Sequence, residues 1–113
     1  MIILDHQISK GELSEIAANI YVDMVKGVVD IDRGIIAVDA ELHADLEKEL
    51  LLSGSAQTSV WGINLYPDAD DEDFIEFDSL INIRPRQGNM SRGVESEEIR
   101  NAITRIVTEY IKR

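Results

Sequence analysis

Residues 28–42 read V-V-D-I-D-R-G-I-I-A-V-D-A-E-L, with apolar residues at every second position on both sides of Arg33-Gly34: Val29 and Ile31 before it, Ile36, Val38, Ala40 and Leu42 after it. A period of two is the signature of a half-buried strand. Gly34 tolerates positive φ, so Arg33-Gly34 fits a two-residue turn between two strands. The register that places Ile31 opposite Ile36 and Val29 opposite Val38 keeps the apolar residues of both strands on one side. A one-residue slip would turn every one of them to the other face, so the pattern fixes an antiparallel hairpin with a single buried face. A chain built around such a hairpin needs something apolar to cover that face.

The flanking segments supply it. Ser9 and Glu12 form an S-x-x-E capping box, with Ile8 and Leu13 placed as a hydrophobic staple. Leu13, Ile16, Ala17, Ile20, Tyr21 and Met24 follow helical spacing, which predicts a helix over residues 9–24. Residues 44–52 read as a short helix with Leu46 and Leu50 on one side, ended by Ser53-Gly54-Ser55. Val60–Tyr66 alternates as a strand, with Trp61, Ile63 and Leu65 inward, and Pro67 stops it. Phe74–Arg84 reads as the returning strand, ended by Pro85. Ser96 caps a last helix whose stripe is Ile99, Ala102, Ile103, Ile106, Val107, Tyr110 and Ile111.

The expected fold is therefore α+β: a two-layer sandwich in which the N- and C-terminal helices cover one face of an antiparallel sheet of about four strands. Its other face meets water or a partner. Leu13, Ile20, Ile63, Phe77, Ile81, Ile103 and Val107 are expected in one core. At 113 residues the chain fits a single domain, 1–113, and buries enough surface to fold without staples. It has no cysteine, no apolar run near the ~20 residues of a membrane span, and no basic-then-apolar leader at its start. A soluble, acidic protein of the cytoplasm is the expectation.

The net charge of −11 argues against general nucleic-acid binding. The charge is uneven: residues 1–83 carry 4 basic and 18 acidic side chains, residues 84–113 carry 7 and 4. That asymmetry draws attention to R-P-R-Q-G-N-M-S-R-G, residues 84–93. Arg84, Arg86 and Arg92 offer planar forks for phosphate or carboxylate. Asn89, Ser91 and the glycines can turn backbone amides towards an anion. The loop is not a phosphate loop, since Val94-Glu95 stands where Lys-Ser/Thr is required. Its arginines can equally hold the chain's own carboxylates. The second candidate is the outward sheet face, where strand alternation gathers Glu41, His43, Glu76 and Asp78. Such a set suits a Mg²⁺-type divalent cation or acid–base work, although a solvated acidic face needs no function at all. Asp68, Asp70 and Glu72 alternate like a calcium loop, but Asp73 and Ser79 stand where Gly and Glu are needed.

Three stretches, V-W-G-I-N-L-Y-P (60–67), I-N-I-R-P-R-Q-G-N-M-S-R-G-V (81–94) and E-L-H-A-D (41–45), resemble a family of small prokaryotic proteins classed as a domain of unknown function. The resemblance implies no activity, and no functional residue is carried over from it. Two readings stand on the residues themselves. One is a binding or adaptor module whose arginine loop engages an anionic small molecule or an acidic protein partner, with no cofactor. The other is a small enzyme on the carboxylate and histidine face, using a divalent cation. The residues do not decide whether the chain is an enzyme. An open sheet also leaves an edge and a face for a second copy, so a homodimer is expected.

Overall fold

The computed structural model of the chain describes residues 1–113. In chain order the elements are strands β1 (Ile2–Ile3) and β2 (Ile8–Ser9), helix α1 (Lys10–Ile20), strands β3 (Val25–Asp30) and β4 (Ile35–Val38), helix α2 (His43–Leu52), strands β5 (Val60–Leu65) and β6 (Ile75–Glu76), helix α3 (Glu97–Tyr110) and strand β7 (Ile111–Lys112). Five strands form one antiparallel sheet in the order β1-β4-β3-β5-β6, and β2 pairs with β7 in parallel. The protein is α+β, and no helix is long and apolar enough to cross a membrane.

The helix caps form as the sequence predicts. The Ser9 side chain accepts the Glu12 N–H while the Glu12 carboxylate accepts the Ser9 N–H, closing the capping box of α1. Ser96 accepts the Ile99 N–H at the start of α3. Helix α1 ends sooner than its apolar spacing suggests. Val22 takes a left-handed φ of 72°, and the N–H groups of Tyr21 and Val22 both donate to the Ala17 carbonyl. Met24 therefore falls outside the helix, and Ile20 is half-buried.

The hairpin forms in a register two residues from the expected one. Val29 pairs with Ile36 and Asp30 with Ile35. The Asp30 carboxylate accepts the N–H groups of Asp32 and Arg33, and the Gly34 N–H returns to the Asp30 carbonyl. These local bonds favour a four-residue turn over Ile31–Gly34, with Gly34 at φ 66°. A shift of two preserves the facing of every side chain, which is why the apolar pattern is satisfied either way. Asp30 is buried under this turn and does not face solvent, while Asp32 accepts a bond from Ser59. At the other end β4 stops at Val38, because Asp39 enters the left-handed region at φ 72°.

Both faces of the sheet are covered. Helices α1 and α3 pack on one, through Leu13, Ala17, Ile103 and Val107 against Val29, Ile36, Trp61 and Ile63. Helix α2 packs on the other, where Leu46 and Leu50 meet Val28, Ala37 and Val60. Ile81 joins this second cluster instead of the main core, and Phe77 is partly buried against the main one. Covering by α2 explains why all six residues of β5 are buried. It also leaves only the far end of that face, beyond the first turn of α2, open to solvent.

Candidate functional site

The open end of the second face is shaped by the segment after β6. The sequence predicts one strand from Phe74 to Arg84, but only Ile75–Glu76 pairs with β5. Beyond it the chain leaves the ladder and makes a short turn over Leu80–Asn82, capped by the Ser79 hydroxyl. Asn82, fully buried, takes the place of the missing strand. Its Oδ1 accepts the Gly62 N–H at 2.8 Å and its Nδ2 donates to the Gly62 carbonyl at 2.9 Å. Ser79 and Ile81 then lie against Gly62 so closely that a Cβ there would stand 2.5 Å from the Ser79 Cβ.

The same asparagine fixes the arginine loop. Asn82 Nδ2 also donates to the Arg92 carbonyl, and the Arg92 carbonyl accepts the Ser79 N–H. Asn89 is 4 % exposed; its Nδ2 reaches the carbonyls of Asn82, Ser91 and Gly93, and its Oδ1 accepts the Glu95 N–H. Asn89 is thus a structural member of the loop with no atom left for a ligand. The anion nest expected of this loop exists, and the chain fills it: the N–H groups of Met90 and Ser91 donate to the Glu95 carboxylate at 2.6 and 2.9 Å. Those two bonds hold the Glu95 carboxyl below its ordinary range. Ser91 is accordingly committed to Glu95, its hydroxyl accepting the Gly93 N–H.

The three arginines go separate ways. Arg84 is drawn inward: its side chain is 9 % exposed, it donates to the carbonyls of Val60 and Ile81, lies 3.4 Å from Glu47, and stacks 4.8 Å from the Trp61 ring centre. Burial pushes the Glu47 carboxyl up and the Arg84 guanidinium down, while each partly restores the other's charged form. Arg84 therefore has a structural role. Arg86 is exposed, has no carboxylate partner, and lies on a shallow depression of about 520 Å³ with Arg84, Gln57, Thr58 and Gln87. Arg92 lies elsewhere, so the two do not share one basic patch. Its Nε donates to Asp78 Oδ1 at 2.7 Å, with both side chains substantially exposed.

Arg92 meets residues from the second sequence candidate. It lines a cleft of about 290 Å³ together with Lys26 of β3, His43 and Ala44 of α2, Leu42, and Ser79–Ile81. Lys26 is half-buried, has no carboxylate partner, and its Nζ lies 5.2 Å above the Tyr21 ring. Strand register sets Lys26 beside Asn64 and Asn64 beside Glu76, giving a polar row across three strands. Asn64 Nδ2 donates to Glu76, which also accepts the Tyr66 hydroxyl. His43, the first residue of α2, is buried, and its Nε2–H donates to the Ile63 carbonyl at 2.8 Å. Desolvation lowers its pKa below the ordinary 6.5, with Lys26 adding to the effect. The imidazole is therefore neutral near pH 7.

The metal arrangement expected on this face does not form. Glu41 is exposed in the β4–α2 connection, Glu76 is held by Asn64 and Tyr66, Asp78 by Arg92, and His43 by Ile63. No three His, Asp or Glu side chains anywhere in the chain converge in a way that could hold a metal ion. This includes the acidic connection 68–73, where Asp71 meets Arg113 at 3.2 Å. The residue that sequence reasoning passed over is Lys26. Its signal was a single lysine within the V-K-G-V-V run, on the same strand face as Val28.

The family described as "Protein of unknown function (DUF5674)" matches residues 2–110, and the chain belongs to it. No curated protein and no solved structure matches the chain.

Proposed function

We propose that the protein is a binding module that takes the anionic group of a ligand in the cleft between Lys26 and Arg92. The observation that carries this reading is that those two cationic residues, one from a strand and one from the arginine loop, line the same concave site in a chain of net charge −11. Lys26 is half-buried and makes no ion pair, so its charge is free to meet an anion entering the cleft. The Arg92 fork keeps its two terminal nitrogens for an incoming anion while Asp78 fixes its Nε. The end of the sheet that carries the cleft also holds both left-handed non-glycine residues, Val22 and Asp39, and the Tyr21 hydroxyl ties these two connections together by donating to the Glu41 carbonyl. Strained backbone of this kind is characteristic of functional sites.

The test is ligand-induced stabilisation at constant ionic strength. A ligand that binds only the native state raises the melting temperature with its concentration. Acetate should stabilise the wild-type protein relative to chloride, and the increment should shrink in Lys26→Gln and Arg92→Gln. Equal increments in wild type and both variants would show that the anion acts elsewhere.

A further inference from the structure

We infer that the ligand of the Lys26–Arg92 cleft is a small molecule with a single carboxylate on a short apolar body. This rests on the anion-binding reading above and narrows it. Charge argues for one negative group. Lys26 and Arg92 supply two positive charges and Asp78, bonded to Arg92, removes one. His43 adds none, since its Nε2–H is already given to the Ile63 carbonyl and burial disfavours its protonation. A phosphate group of charge −1.5 to −2 would exceed this balance and face Asp78, which is bonded to Arg92.

The walls argue for an apolar body. Leu42, Leu80 and Ile81 line the same cleft, and the first two are 54 % and 68 % exposed. They lie next to the cations, so a ligand anchored by its carboxylate would lay its chain over them and remove them from water. The volume argues for a small one. About 290 Å³ holds on the order of ten groups of water size at ~30 Å³ each, which suits a short aliphatic acid such as hexanoate. The loop wall is anchored to the sheet: Ser79 and Ile81 pack against Gly62, and the Asn82 amide bonds the Gly62 backbone twice.

Titration followed by NMR with four probes tests this: sodium hexanoate, sodium acetate, hexylammonium chloride and inorganic phosphate. Hexanoate should bind roughly ten-fold tighter than acetate, the factor corresponding to about 1.4 kcal/mol, and hexylammonium should not bind the cleft. Lys26→Gln and Arg92→Gln should each weaken hexanoate, and Leu80→Ser should weaken hexanoate while leaving acetate unchanged. Leu80 is exposed, so that variant keeps the fold. Lys26-dependent binding of phosphate, with hexanoate no tighter than acetate, would overturn the assignment of ligand class and leave the anion site standing. Absence of any Lys26- or Arg92-dependent binding would overturn both.

Discussion

Replacing Gly62 by alanine strikes the contact on which the cleft is built. The added Cβ would stand 2.5 Å from the Ser79 Cβ, 2.6 Å from its Oγ and 3.1 Å from the Ile81 Cγ1. Carbon atoms rest at about 3.5–4.0 Å, so Ser79 must retreat by roughly 1 Å. It is not free to do so. Its N–H donates to the Arg92 carbonyl, its Oγ accepts the Ile81 N–H, and Asn82, three residues on, is bonded twice to Gly62 itself. Overpacking of this kind costs about 1–3 kcal/mol, and each strained hydrogen bond adds about 0.5–1.5 kcal/mol. The expected total is about 2–5 kcal/mol, a fall in Tm of roughly 10 °C or more for a domain of this size. Urea denaturation with two probes, far-ultraviolet circular dichroism and Trp61 fluorescence, measures it. A Gly62→Ala protein within about 0.5 kcal/mol of wild type, the range of ordinary surface changes, would refute the close packing of the loop on β5.

Three further outcomes follow from local geometry. Ser9→Ala removes the acceptor for the Glu12 N–H and should lower the denaturant midpoint by an amount equivalent to about 0.5–2 kcal/mol. Val22→Gly should raise stability by roughly 0.5–1 kcal/mol, because an exposed valine in the left-handed region gives up strain that exceeds the extra entropy of an unfolded glycine. His43 has a folded-state pKa below its ordinary 6.5, so the unfolded chain binds the proton more readily. Its contribution is complete above pH ~6.5 and is lost as pH falls below that value. Wild-type stability should therefore decline from pH 7 to pH 5 more steeply than that of His43→Gln, as read from chemical denaturation at each pH. Parallel pH profiles would contradict the burial of His43.

The helices and the inner strands were legible because their signals are local. The S-x-x-E box at Ser9, the cap at Ser96 and the alternation V-W-G-I-N-L each act within a few residues. Two kinds of feature were not legible. The first is side chains that imitate backbone: Asp30 sets the hairpin turn, and Asn82 replaces a strand partner of Gly62, so alternation over Phe74–Arg84 looks like a strand that is only two residues long. The second is what covers a face. Val28, Ala37 and Val60 occupy the face read as polar, and α2 buries them. Their apolar character was the available signal, and it lost to the louder run of acids beside it. The candidate site divided in the same way. Arg92 and His43 were singled out from the sequence, but for different functions. Only the turn at Leu80–Asn82 brings them to one cleft with Lys26.

The most direct measurement is a map of backbone amide shifts on adding sodium hexanoate to the wild-type protein at constant ionic strength. The predicted perturbations centre on Lys26, His43, Ala44, Ser79, Ile81 and Arg92, the residues around the cleft. Shifts centred on Gln57, Thr58, Arg86 and Gln87, around the other arginine-lined depression, or no saturable shifts at all, would contradict the assignment.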